Sequence, residues 1–432
     1  LFDMIDLIIN ILKEEGISTY LINECKEISE EVFFIRQNLD MKRAKDITKY
    51  TVTLYRDFPA QKENGSALRG FASCTLQKSM SRQELVSALR NTYESASYAK
   101  NPYFPLPKPA SSIPGTSSHN NNPTKSVTME QCVRALFSVD TDDTTFINSA
   151  EFFITTTDHR IINSSGIDVS FTQTVYSGEF VAQSKQKEDV EIYQNFHFSD
   201  SDSSAPETDI PKKLAQLAAS TLQSAKDRSV AIQYPNSAAP SAIILEGYCV
   251  AELFQFFLER CDASMIYPNY SNYTVGTILP FKSDTLNLTL KASVPYTLEG
   301  IKLQETELIR NNQITAITGD SRFSYYLGVQ PLGTFSEYRI TCGSKSAEEF
   351  QKCSSLRIVN FSDFQMDSLS GQFGGEFRLA YYSDSEHQNI PVTGGSVSGN
   401  ILDILNTLML SKESINLNGY FGPKSVCYFT SP

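Results

Sequence analysis

The chain has 432 residues, with 37 Lys and Arg against 49 Asp and Glu, a formal net charge of −12. An apolar share of 41% excludes wholesale disorder, and at about 150 residues per domain the length fits two or three domains. Duplex binding draws most of its affinity from neutralised phosphates, so an acidic chain with no Lys/Arg cluster is not expected to bind nucleic acid.

At the amino end, LFDMIDLIINILKEEG places Met4, Ile5, Ile8, Ile11 and Leu12 on one face and Asp3, Asp6, Asn10 and Lys13 on the other, with Gly16 as a left-handed stop. This predicts an amphipathic helix rather than a signal peptide, because Asp3 and Asp6 interrupt the apolar run and no small-residue cleavage site follows. Alternating segments EEVFFIRQNLD, TKYTVTLYRD and GSALRGFASCTL read as strands. A helix follows, opened by Ser81 with Glu84 three positions on, a capping box. Residues 1–100 form an N-terminal α+β domain on this reading. Six of the 18 prolines fall between residues 101 and 123, so 101–126 reads as a Pro/Ser/Asn-rich linker. A central α+β domain, 127–233, holds a helix around 128–139 and the strand-like runs TTFINSAEFFITTTD, GIDVSFTQTVYSG and DVEIYQNFHFS. It closes with a helix bearing Leu214, Leu217, Ala218 and Leu222, entered through an acidic, Ser-rich loop at 199–211. The remainder, 234–432, is strand-rich, with helices near 250–261, 346–353 and 400–410. Its GGSVSGN segment reads as a tight strand-to-helix turn in which Ser398 or Asn400 caps the helix. Strands come in blocks rather than in βαβ alternation, so the class is α+β: N-terminal mixed α/β domains followed by a strand-rich C-terminal domain with a few helices. No fixed-period repeat is visible. No apolar run approaches the ~20 residues of a membrane span. Eight scattered cysteines without a C-x-x-C read as reduced thiols of a cytoplasmic chain.

The histidines restrict the chemistry. They stand at 119, 159, 197 and 387, so the closest pair is 38 residues apart and no helical H-E-x-x-H or His-Glu-x-x-x-His site exists. His119 and His387 read as solvated. His159 and His197 border strands, where a half-exposed residue, a ligand and a general base all stay open, as does a cysteine nucleophile beside either. GGSVSGN lacks the Walker lysine, and Val397 occupies the serine position of a G-x-S-x-G elbow. In GYCVAELFQFFLERC, Val250, Leu253, Phe254, Phe257 and Leu258 form a core stripe that leaves Glu252, Gln255 and Glu259 on the opposite face. Two carboxylates seven residues apart are either solvated or a pair for acid–base or cation chemistry.

Three segments carry a family pattern. ALRGFASCTLQKSMSRQELVSALRNTYESA is a strand followed by a helix; RIINSSGIDVSFTQTVYSGEFVAQ carries an Asn-Ser-x-Gly turn at Asn163, Ser164 and Gly166; SLSGQFGGEFRLAYYSDSEHQNIPVTGGSVSGNILDIL is a closing block. Through them the chain resembles the TldD/PmbA family, described as candidate modulators of DNA gyrase and as peptide-maturation peptidases whose TldD and TldE (PmbA) subunits assemble. The resemblance implies that residues 250–261 correspond to the family's His-Glu-x-x-x-His zinc helix, with Gln255 and Phe256 at the His-Glu pair and Arg260 at the second His. Phenylalanine offers no lone pair and arginine is a cation, so the helix, with Glu252 and Glu259, is degenerate. No catalytic residue, metal or cofactor is therefore assigned. The expectation is a PmbA/TldE-type, noncatalytic protein, a heterodimer with a TldD-like zinc peptidase subunit or a homodimer, acting on extended, unfolded peptides. Two alternatives are a peptidase with a non-standard site and a stand-alone homodimeric binding protein. A DNA-mimic role needs denser carboxylates than −12 over 432 residues supplies.

Overall fold

The computed structural model describes residues 3–59, 67–109, 127–199, 209–235, 239–351, 354–386 and 388–430. The expected linker 101–126 is described only to residue 109; His119, Cys353 and His387 lie outside the described residues, as does most of the loop at 199–211.

Helix α1 (Met4–Glu14) buries Met4, Ile5, Ile8, Ile11 and Leu12, the face its periodicity marks. Asp3 caps it by accepting from the Ile5 N–H at 3.3 Å, and Gly16 ends it at φ 69°. Strands β1 (Tyr20–Ile35), β2 (Asn38–Phe58) and β3 (Leu68–Gln77) follow, then α2 (Arg82–Ser95). Its capping box forms: Glu84 N–H donates to Ser81 Oγ at 3.3 Å and Ser81 N–H to Glu84 Oε2 at 2.7 Å. After the short β4 (Lys100–Pro102) the same order recurs as α3 (Met129–Phe137), β5 (Thr145–Asn163), β6 (Asp168–Ser184), β7 (Val190–Ser199) and α4 (Ile210–Val230).

These two helix–three-strand–helix units share one sheet, ordered β4-β3-β2-β1-β5-β6-β7. They join through antiparallel β1 and β5, in a register running from Leu21↔Asn163 to Ile35↔Ser149. Residues 1–100 and 127–233 are thus halves of a single sheet and structural repeats of each other. Even-numbered residues of the central strands, Ile22 and Val32 on β1 with Phe152 and Ile162 on β5, pack under the helices. The odd-numbered Leu21 and Ile161 point to the opposite face, where they meet Phe104 and Leu106 together with Val294, Tyr296 and Tyr326 of the C-terminal half.

That half runs β8 (Ile232–Gln233), β9 (Ala242–Glu246), α5 (Tyr248–Arg260), α6 (Ala263–Ile266), β10 (Leu288–Lys291), β11 (Thr306–Arg310), β12 (Gln313–Ile314), α7 (Ser321–Leu327), β13 (Glu337–Ile340) and α8 (Ala347–Phe350). It continues with β14 (Ser355–Met366), β15 (Gln372–Ser383), β16 (Ile390–Thr393), β17 (Gly395–Asn400), α9 (Ile401–Ile404), β18 (Met409–Leu410), β19 (Ser414–Leu417), β20 (Tyr420–Pro423) and β21 (Ser425–Phe429). One sheet is ordered β12-β11-β10-β13-β20-β19; the other is β18-β21-β9-β14-β15-β16-β8, with β17 paired to β15. Helix α5 shares a core with both, packing with Leu288 and Leu290 of the first sheet and Leu356 and Ile358 of the second.

The fold is α+β. Two local expectations are corrected. Residues 395–400 are a strand rather than a turn, paired with 372–377, and only Gly394 (φ 77°) turns. The following helix stops at Ile404, capped by Asn400, which accepts from the Leu402 N–H at 2.9 Å. Among the described residues no helix is long and apolar enough to cross a membrane.

Candidate functional site

The Asn163, Ser164 and Gly166 turn joins β5 to β6. Asn163 Oδ1 accepts from Ser165 N–H at 2.9 Å and Ile167 N–H at 3.1 Å, and its Nδ2 donates to the Pro107 carbonyl at 2.9 Å. Ser164 N–H donates to the Tyr20 carbonyl at 3.0 Å, while Tyr20 N–H donates back to Ser164 Oγ at 3.1 Å. Gly166 takes φ 100°, which a side chain would strain. The buried Ile167 beside it touches Gly300: a Cβ on Gly300 would fall 2.6 Å from Ile167 Cγ2. The turn therefore seats the loop around Gly300 against the first sheet.

Next to this contact lie three cavities, the first and third between the halves and the second within the C-terminal half. The first, about 300 Å³, has Tyr248, Ala251, Glu252 and Gln255 of α5 on one wall, Asn195 to His197 of the edge strand β7 on another, and Tyr338 and Tyr420 behind. A second, about 340 Å³, shares Gln255 and continues along the helix to Leu258, Glu259 and Asp262. The third, about 550 Å³, shares Thr334 and Phe335 with the second and Ser336 with the first, and is floored by His159, Phe171 and Gln173. Together they line a groove that follows the polar face of α5.

Glu252, Gln255 and Glu259 all face this groove. Glu252 is half-buried and accepts a hydrogen bond from the Tyr248 hydroxyl. Phe256 points the other way, into the core, its ring 5.3 Å from Phe257 and 6.3 Å from Tyr273. Arg260 is spent on loops: Nη1 donates to the Tyr270 carbonyl at 2.6 Å and the Leu369 carbonyl at 3.3 Å, Nη2 to Asn272 Oδ1 at 3.1 Å. The divergence is geometric. Positions five apart on an α-helix lie about 140° apart around its axis, so Gln255 and Arg260 do not share a face.

Zinc does not fit these residues. The groove face of α5 offers two carboxylates and an amide, Phe256 has no donor, and Arg260 is cationic. The flanking thiols do not help. Burial pushes Cys249 and Cys261 each up to about 12, so both stay protonated at neutral pH, and Cys249 Sγ donates to the Glu246 carbonyl at 3.4 Å. Among the described residues no group of three or more His, Cys, Asp and Glu is arranged to hold a metal.

Of the two strand-border histidines, His197 lines the first cavity, and its backbone N–H donates to Asn418 Oδ1 at 2.9 Å. His159 lines the third, its ring stacked on Phe171 with centroids 4.8 Å apart. Burial holds the His159 imidazole below its ordinary pKa, against the opposing pull of Asp158. Sequence reasoning marked the α5 face through its helical period. It singled out His197 but missed the walls contributed by 333–338 and 418–420, which only the fold brings beside it.

A doubled α/β unit closed on one face by a two-sheet half that encloses α5 is an architecture with known examples. TldE from Thermococcus kodakarensis shares it at TM-score 0.75 and 13% identity, over 99% of this chain and 98% of that one. So does a protein from Thermotoga maritima MSB8 described as a candidate modulator of a DNA gyrase, at 0.73 and 15%, over 98% and 97%. A third, described in the same terms and from Bacteroides thetaiotaomicron VPI-5482, gives 0.75 and 14%, over 98% and 96%. At these identities the likeness is one of fold. In sequence, residues 240–427 match the PmbA/TldA metallopeptidase C-terminal domain. No curated protein sequence matches the chain. The family match thus covers the C-terminal half, residues 240–427, and the likeness of fold covers nearly the whole chain.

Proposed function

We propose that the chain is a noncatalytic, TldE/PmbA-type member of the TldD/PmbA family that works in the cytoplasm with a zinc-bearing paralogue in the proteolysis or maturation of unfolded peptides. The observation that carries the reading is α5 itself, where Gln255 stands at the first expected histidine and faces the groove with Glu252 and Glu259, while Phe256 and Arg260, at the expected Glu and second His, turn away from it. The chain supplies a wall along which an extended peptide lies. Edge strand β7 borders the groove, and extended peptides pair with such edges through their own amides and carbonyls, with little sequence preference. Co-expression with a zinc-bearing paralogue is expected to yield a heterodimer whose cleavage of denatured peptides changes when this chain is omitted. Failure to associate with any such paralogue, or stoichiometric zinc in this chain alone that is lost in Glu252→Ala, overturns the proposal.

One observation favours a second reading, a peptidase with a non-standard site: His197 and Glu252 line the same cavity. That reading requires the isolated chain to cleave denatured peptides and His197→Gln to abolish cleavage. An inactive isolated chain removes it.

A further inference from the structure

The proposal above makes no use of the 550 Å³ cavity at the far end of the groove. Two carboxylates line it, from separate loops, and both are held in place by hydrogen bonds. Glu299 accepts from the Ser321 N–H and the Ser321 hydroxyl, each at 2.9 Å, and Asp320 accepts from the Phe323 N–H at 2.7 Å. Both are half-buried, and neither lysine nor arginine lines the cavity. The neighbouring base, Arg322, lies over aromatic rings, 4.2 Å from the Phe323 centroid and 5.6 Å from that of Phe71. Burial, with Asp320 adding repulsion, pushes the Glu299 carboxyl above its ordinary range despite the Ser321 bonds and the opposing pull of Arg322. On the floor, His159 Nδ1 is buried with no hydrogen-bond partner among the described residues. Tyr296 and Phe335 complete the walls with aromatic surface.

An anion here would face two fixed carboxylates, and an apolar group would bury them unpaired. An ammonium group brings three donors and a positive charge, and an aromatic face attracts it as well. We propose that this cavity is a subsite for the ammonium group of a peptide lying in the groove, carried by a lysine side chain or by a free amino terminus. The inference rests on the peptide-groove reading and adds a chemical preference to a surface that otherwise reads only backbone.

The test is fluorescence anisotropy with one unstructured peptide, labelled at its carboxyl end and made in four forms: lysine or norleucine at one position, each with a free or acetylated amino terminus. They are titrated against the full chain and against Asp320→Asn, which removes the charge and keeps a good helix cap. With the unaltered chain, loss of the recognised ammonium is expected to weaken binding about tenfold, the scale of a partly desolvated ion pair, and with Asp320→Asn the difference shrinks. Loss with norleucine assigns the cavity to lysine; loss on acetylation assigns it to the amino terminus. Glu299→Gln repeats the comparison should Asp320→Asn melt early. If all four forms bind the unaltered chain equally, or the variants weaken all four alike, the subsite is wrong and the groove reading stands. If none binds, both fall.

Discussion

Asn163 closes a hairpin and anchors the chain near Pro107 with one side chain, so its truncation exposes the cost of unpaired backbone. Asn163→Ala leaves the Ser165 and Ile167 amides and the Pro107 carbonyl without that partner. At about 1 kcal/mol per bond, urea denaturation is expected to show a loss of about 2–3 kcal/mol. His159 gives a pH signature whose sign follows from its burial. Its folded pKa lies below the ordinary ~6.5, so protons bind the unfolded chain more readily. The stability it contributes is complete above that ordinary value and falls as the pH drops through it toward the folded one. Thermal melts are expected to show a lower Tm at pH 5 than at pH 7, and His159→Gln, which does not titrate, to narrow the gap.

Helix α5 shows how far a 3.6-residue period can be read. Its polar face was legible, because Glu252, Gln255 and Glu259 repeat at helical spacing. Its buried face was legible only in part: Phe256 is fully buried and Leu258 half-buried, because two sheets rather than one pack around the helix. This geometry also predicts where a metal site can be built. Ala251→His with Gln255→His sets two imidazoles one turn apart on the groove face, with Glu252 already between them and His197 lining the same cavity. That double variant is expected to retain zinc through gel filtration, read by atomic emission. Gln255→His with Arg260→His is expected to melt earlier, because the ties to Tyr270, Asn272 and Leu369 are gone. Strand β17 was illegible for the opposite reason. Glycine and serine signal turns, yet a Cβ on Gly395 would meet the Phe377 ring at 2.3 Å and one on Gly399 the Phe373 ring at 2.7 Å. The glycines are there to let aromatic rings of β15 lie across the strand, so tertiary pairing overrides local preference.

At the scale of the molecule, the pairing of β1 with β5 decides what folds alone. The α+β class was legible from blocks of strand-like sequence, but the partner of a strand was not, because alternation looks the same whichever neighbour it pairs with. A Pro-rich join between two such blocks invites a boundary, and the sheet runs across it. A chain beginning at residue 127 would leave β5 with a long open edge. It is expected to aggregate on expression, with size-exclusion chromatography showing no monomer peak, whereas co-expressed 1–109 should restore solubility. The two halves of the protein are also keyed to each other at Gly300, which takes φ 81° with Ile167 pressed where a methyl would go. A bulkier residue there would act as a shim: without touching any group inside the groove it would tilt the loop bearing Tyr296 and Glu299, so the size of the residue at position 300 sets the groove's calibre from outside.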